Sequence, residues 1–532
     1  MKPWIAIALC AASCMNGRSK NSSDAMDRVD RGLAAMGGAD KVAGLQSFLA
    51  KGTARHWEPE QSIKADGEMR LAGDSTFVLT RDLSKDAAVT EWDRNFVYPS
   101  TREYKFREIV TKNAGYVDGI DSTGRTKRDM ESNPPRHAMS GVRLAAAQRE
   151  LRRTSPILLA EMKAHPGDIE ADEIAVGQGR MPAVRYQAGD TPFFVTFDPS
   201  TGLPARIRTV DADNIHGDSN YDLVLSDYRD VSGVKIAHTQ SYQLNGKEVI
   251  HVQYQEARTD AALPQEAVAV PADLQAPPPA RGNVPYQWVI RRQFIGTYLD
   301  SDAVTHDSQG GGLKLTELAP GVLHVSGGSH NSFIVEMADH LVVFDAPVGE
   351  AQSRFTLDAL KAKYPGKPVK LLVLSHHHMD HTGGARTFVA QGADVLVGKG
   401  NGAHFAKVFA APHKVDGDSL DKSPRKPAIE EIADRKVLDD GKRKIEILRV
   451  DNPHADGMLI GYVPDAKLGF VVDLWSPGRD KLGDKATPAQ QAVVAAVPRL
   501  SSTPERFAGG HGTVADYAPL ASIAGAQPRA GR

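Results

Sequence analysis

An apolar stretch, Val369-Lys370-Leu371-Leu372-Val373-Leu374, runs directly into Ser375-His376-His377-His378-Met379-Asp380-His381-Thr382-Gly383-Gly384. The first part reads as a buried β-strand. Four potential metal ligands (His376, His378, Asp380 and His381) fall within six residues just past the end of that strand. In α/β sheets ligand sites sit outside the carboxyl ends of strands. Side chains alternate along extended chain, so His376 and His378 point the same way and can share one ion. His377 points to the opposite side and is read as structural. Asp380 and His381 follow as the chain turns into a helix, where they can reach a second ion. Gly383-Gly384 permits the tight backbone turn this requires.

Any such site is built without sulfur. The chain has 532 residues with 2 Cys and 18 His, and both cysteines, Cys10 and Cys14, precede Met15. Beyond that point disulfides within the chain, cysteine nucleophiles, Cys-based zinc ribbons and iron–sulfur clusters are excluded. His with carboxylate oxygen suits Zn²⁺, with Mn²⁺ and Fe²⁺ as alternatives. With 64 Lys+Arg against 66 Asp+Glu, the charge is balanced, which argues against a nucleic-acid partner. Oligomeric state is not legible in the sequence.

The length predicts two to four domains. Residues 1–20 read as a bacterial signal peptide: Lys2, then the short apolar run Ile5–Leu9, then small residues. Ala11-Ala12-Ser13-Cys14 resembles a weak lipoprotein signal, with Cys14 as the membrane anchor; Ala11 stands where a large aliphatic residue is usual. The expected location is therefore the periplasm or the outer membrane. Residues 24–262 read as a β-rich domain: Asp24–Gly44 looks helical, and the short strands after it are interrupted by one helical stretch, Val142–Met162, kinked by Pro156. Leu244-Asn245-Gly246-Lys247 is a strong hairpin signal. The pattern predicts an antiparallel meander with a helix packed on it. Residues 263–285, crowded with Pro264, Pro271, Pro277, Pro278, Pro279 and Pro285, read as a linker. Strands then alternate with helical segments over 286–522, the mark of an α/β domain, and 523–532 reads as a disordered tail. Twelve of the 18 His lie from His306 onward.

The His376–His381 motif is the signature of the metallo-β-lactamase superfamily, and residues 315–520 resemble that family. The resemblance implies an αββα sandwich following the β-rich, α+β N-terminal domain. Asp345, ending Leu341-Val342-Val343-Phe344, matches the family's carboxylate that orients a ligating His. His454, in Asp451-Asn452-Pro453-His454, matches the next ligand. Asp473, closing Leu468-Gly469-Phe470-Val471-Val472, matches the residue that bridges two metals; the family usually has Gly where Val472 stands. His511, in Gly509-Gly510-His511-Gly512, matches the last ligand. The implied centre holds two Zn²⁺: His376, His378 and His454 at one, Asp380, His381 and His511 at the other, and Asp473 between them. The turn Phe197–Pro204 and the segment Asp227–Val234 resemble bacterial lipoprotein-carrier-like sheets, over roughly residues 60–260.

Such a centre implies hydrolysis by an activated water, with Asp380 placed to orient that water and accept its proton. Asp at 473, where dedicated β-lactamases of the family carry Cys or a small residue, favours an ester, lactone, thioester or amide substrate of small size. A weak β-lactamase is one alternative, and a mono-iron sulfur dioxygenase-like enzyme is another. A third is an envelope lipid- or lipoprotein-binding protein carrying the metal domain as a passenger. The stretch between Gly398 and Asp440, with Lys399, His404, Phe405, Lys407, Phe409, His413 and Lys414, reads as an insertion that shapes a pocket or lies on the surface.

Overall fold

The computed structural model describes residues 22–98, 101–121, 135–139, 141–189, 191–274, 312–328 and 330–525. The expected signal peptide, the second half of the expected linker (275–285) and most of the expected tail lie outside these residues. The chain divides into two compact units. The first comprises Met1–Trp57, Leu71–Asp211 and Ser219–Ser301, the second Glu58–Arg70, Ala212–Asp218 and Asp302–Arg532. A division at a single linker would place the two excursions, Glu58–Arg70 and Ala212–Asp218, with the N-terminal domain; they group instead with the C-terminal unit.

In the first unit the β-rich reading becomes one 13-stranded sheet. Strands Ser47–Glu58 to Arg136–Ala138 form one meander and Ile169–Val176 to Lys247–Arg258 another. The two join where Ser47–Glu58 pairs antiparallel with Lys247–Arg258. The Asn245-Gly246 hairpin forms as expected, with both residues at positive φ (49° and 85°). These angles match the right-handed twist of the flanking strands. The helical stretch differs from expectation: Pro156 separates two helices, Gly141–Arg153 and Leu158–Ala164, rather than kinking one. Proline lacks the N–H that would continue the hydrogen-bond ladder, and it disfavours helix at the residue before it.

The second unit holds two sheets. The seven-stranded sheet runs in the order Lys314–Ala319, Val322–Ser326, Ser332–Glu336, Leu341–Phe344, Val369–Val373, Asp394–Gly398, Ile429–Ile432. Its first three pairings are antiparallel and its last three parallel. The parallel part follows from the crossover helices Glu350–Lys363 and Ala385–Ala390. The six-stranded sheet runs from Arg435–Asp439 to Val514–Asp516, with Leu468–Val471 and Arg506–Gly509 parallel.

One apolar core joins the two sheets and helix Pro488–Ala496. At its centre Phe333 stacks on Phe470 at 5.3 Å, and Phe344 meets both edge-on or tilted. Gly461 makes room for this cluster, since a Cβ there would stand 2.7 Å from the Phe344 ring. This is the αββα sandwich the sequence implies. The stretch between Gly398 and Asp440 is not a plain insertion. It supplies helices Gly402–Ala410 and Ser419–Lys422, the seventh strand of one sheet and the first strand of the other. Phe405 and Phe409 are buried there rather than solvated.

Candidate metal centre

Four strands of the second unit end at one place. Phe344 leads into Asp345, Val373 into Leu374–His378, Val471 into Val472–Asp473, and Gly509 into Gly510–His511. Two of the strand-end carboxylates adopt left-handed backbone, Asp345 at φ 59° and Asp473 at φ 45°. Aspartate visits that region more readily than most residues, and strained backbone is common where function demands a fixed geometry. Leu474 N–H bonds back to Val472 C=O, so Asp473 is the centre of a positive-φ γ-turn.

The structure brings all seven expected ligands together. Asp473 Oδ2 lies 3.2 Å from His376 Nε2, 3.1 Å from His381 Nε2 and 3.1 Å from His454 Nε2. Asp473 Oδ1 lies 2.7 Å from His511 Nε2. The ligand atoms form two groups, each within 4.8 Å: His376, His378, His454 and Asp473, and His330, Asp380, His381 and His511. Asp473 thus touches histidines of both groups, as a bridging ligand must. His330 is the one member the sequence reading missed. It is a lone His before strand Ser332–Glu336, with no spacing signal, and is brought in by the fold. Its Nε2 donates to Asp380 Oδ2 at 3.1 Å, and its ring packs 4.3 Å from that of His511. A third group with ligand atoms this close, among the described residues, is Glu60, Asp213 and His216, drawn wholly from the two excursions.

The outer contacts fix which nitrogen of each ring faces inward. Asp345, fully buried, accepts from Ser375 N at 2.7 Å, Ser375 Oγ at 2.8 Å and His381 Nδ1 at 3.2 Å. With its proton given to Asp345, Ser375 Oγ accepts from His376 Nδ1 at 3.0 Å. His376 and His381 therefore carry their protons on Nδ1 and turn bare Nε2 atoms inward. His378 is reversed: its Nε2 donates to the Ser62 carbonyl at 2.9 Å, so Nδ1 faces His454, 3.0 Å away. His377 also donates through Nε2 to the Ser62 carbonyl, at 2.9 Å, and stays out of both groups, as its alternation predicts.

Burial pushes the His376 and His378 rings down, well below the ordinary range for His378. It also pushes His330 down to about 3. Neutral imidazole is the metal-binding form. Burial opposes ionisation of Asp473, yet His381, His454 and His511 together hold it well below the usual carboxylate range. Among the described residues the buried Nε2 atoms of His376 and His381 make no well-aligned hydrogen bond, although Asp473 Oδ2 is near both. Lone pairs that converge without hydrogen-bond geometry, on all-N/O donors with oriented rings, fit divalent metal.

Val472, in place of the family's usual Gly, has a local counterpart. A Cβ added at Gly510 would overlap Val472 Cγ1 and stand 3.3 Å from His381 Cε1. Gly510→Ala is expected to destabilise the protein by about 1–3 kcal/mol through overpacking. Val472→Ala should recover part of that loss. Thermal denaturation of both single variants and the double checks this, and strict additivity would contradict it.

A metal-binding αββα sandwich with a shared carboxylate is therefore the class that the fold and site define. Residues 325–511 match the family model of the metallo-beta-lactamase superfamily. The match lies wholly within the second compact unit. The chain is 38% identical over 69 residues to a linear primary-alkylsulfatase of Pseudomonas sp., covering 13% of this chain and 10% of the relative. It is 37% identical over 97 residues to an (R)-specific secondary-alkylsulfatase of Pseudomonas sp., covering 18% and 14%. The chain thus matches a small part of the length of these relatives. Among solved structures it is similar to a metallo-beta-lactamase from Pontibacter korlensis, with TM-score 0.31 and 19% identity, over 39% of this chain and 95% of that one. A metallo-beta-lactamase from Hirschia baltica gives TM-score 0.30 and 16% identity over 40% and 95%. The lipoprotein-carrier likeness of the N-terminal half finds no support in these comparisons.

Proposed function

We propose that this protein is a dinuclear zinc hydrolase that cleaves an ester-type bond of a small molecule. The observation that carries the proposal is Asp473, which lies beside His376 and His454 of one group and beside His381 and His511 of the other. His376, His378 and His454 would hold one ion; Asp380, His381 and His511, with His330 beside them, would hold the second. Bound zinc supplies Lewis acidity and lowers the pKa of water towards neutrality. The protein's part is to hold the His376, His378 and His381 rings in fixed orientations and to keep a carboxylate, Asp380, ready to orient water and take its proton. The sequence has no cysteine after Cys14, so the proposed centre draws on no thiolate ligand and no cysteine nucleophile from the motif.

The range of bonds this chemistry covers includes carboxylic esters, lactones, thioesters and amides. The short matches to two alkylsulfatases add alkyl sulfate esters. The test is a hydrolysis panel of chromogenic carboxylic esters, lactones, thioesters, alkyl and aryl sulfates, phosphodiesters and β-lactams with the zinc-loaded full chain. Turnover of at least one ester-type substrate is expected. A chelator should abolish it and added zinc should restore it. Turnover that survives complete removal of metal would contradict the proposal.

A further inference from the structure

The segment Glu58–Arg70 precedes the His376–His381 motif by about three hundred residues, yet it belongs to the same compact unit. It reaches the centre at several points. Gln61, buried, donates through Nε2 to Asp380 Oδ1 at 2.7 Å. The Ser62 carbonyl accepts from both His377 Nε2 and His378 Nε2, each at 2.9 Å. Arg70 Nη2 donates to the His454 carbonyl.

The segment is itself pinned. The 3₁₀ turn Pro59–Gln61 is capped by the Glu58 side chain. Ile63 C=O accepts from Asp456 N at 2.7 Å. Asp66 bonds His404 Nδ1 at 2.8 Å and Lys407 Nζ at 2.6 Å. The last pair gives a role to two residues of the 398–440 stretch: they anchor this segment.

From these contacts we infer that Glu58–Arg70 is the outer shell of the metal centre, with Gln61 as the positioning residue for Asp380. The inference rests on the two-metal reading above and deepens it. Asp380 is gripped at both oxygens, Oδ1 by Gln61 and Oδ2 by His330. A carboxylate that must present one oxygen to a metal has its rotation fixed by a donor on the other. The Ser62 carbonyl acts on the other group. A carbonyl only accepts, so it forces the proton of His378 onto Nε2 and leaves Nδ1 bare. Outer partners of this kind typically contribute 10–100-fold to metal affinity or activity. The segment that leaves the N-terminal sheet is thus part of the active unit, not a tether.

The test uses the full chain carrying Gln61→Ala or Gln61→Glu, with Lys64→Ala as an exposed control on the same segment. Zinc is titrated against a chromogenic chelator, and Co²⁺ is substituted to read the absorption of each site. Gln61→Ala should weaken one of two sites by about 10–100-fold and change its Co²⁺ spectrum, while the other site is unaffected. Gln61→Glu, of the same size, should weaken it at least as much at pH 8, because a carboxylate cannot donate and repels Asp380. Lys64→Ala should match the wild type. Equal melting temperatures of the metal-free forms would show that folding is not the cause, and Gln61→Glu preserves the test should Gln61→Ala fold poorly. Wild-type affinity and spectrum in both Gln61 variants would overturn the inference while leaving the two-metal reading intact. A wild-type chain that binds no zinc would overturn both.

Discussion

Asp380→Ala should lower hydrolysis by about 10²–10⁴-fold, the usual share of a positioned acid–base group, while leaving the fold in place. The side chain is largely buried, and its hydrogen bonds to Gln61 and His330 tie it to the site rather than to the apolar core. Its loss would therefore remove the proposed metal ligand and proton acceptor without opening the packing around Phe333, Phe344 and Phe470. The measurement is turnover on the best substrate of the panel under saturating zinc, alongside a melting curve. Unchanged turnover in the metal-replete variant would remove Asp380 from the mechanism.

The second large effect is expected at Asp345. This carboxylate is fully buried and accepts three hydrogen bonds, two from Ser375 and one from His381. Asp345→Ala orphans three donors at once and leaves the His381 ring without its partner. Breaking a buried, charge-assisted network of this kind typically costs about 3–5 kcal/mol. The His381 ring is raised well above its ordinary range although burial opposes it, because Asp473 and Asp345 lie beside it. Removing Asp345 takes away one of the groups that orient this ring, so metal affinity should fall with stability. Asp345→Asn tolerates the left-handed backbone and still accepts through its amide oxygen, so its loss should be smaller. Chemical denaturation with a parallel zinc titration checks both; a stability of Asp345→Ala equal to wild type would contradict the account.

Much of this centre was legible because strand ends carry it. An apolar run followed by candidate ligands at His376, His378, Asp380 and His381 is a local pattern, and period-two alternation alone separated His377 from its neighbours. His454, Asp473 and His511 were found through the family resemblance, by their place in its ligand order. His330 was not. It stands before a strand rather than after one, and only the antiparallel pairing of Ser332–Glu336 with its neighbours carries it to Asp380. Gln61 and Ser62 were illegible for a stronger reason. Their roles are a side-chain amide and a main-chain carbonyl contributed from about three hundred residues away, and nothing in residue type or spacing marks either.

In the N-terminal half the Asn245-Gly246 turn was readable because only a few residue types accept positive φ at two successive positions. The break at Pro156 was placed correctly but read too weakly. The 398–440 stretch was misread as an insertion because its strands, Ile429–Ile432 and Arg435–Asp439, are too short and too charged to announce themselves. They sit at the outer ends of their sheets, where only one neighbour and one face need be satisfied.

Metal analysis of the purified full chain tests the central claim most directly. Elemental quantification of wild type and Asp473→Ala, each equilibrated with zinc and dialysed, should give two zinc ions per wild-type chain. Asp473→Ala should hold fewer, since the residue touching both groups is gone. A single redox-active iron per chain, or zinc content unaffected by loss of Asp473, would contradict a two-metal centre built around that carboxylate.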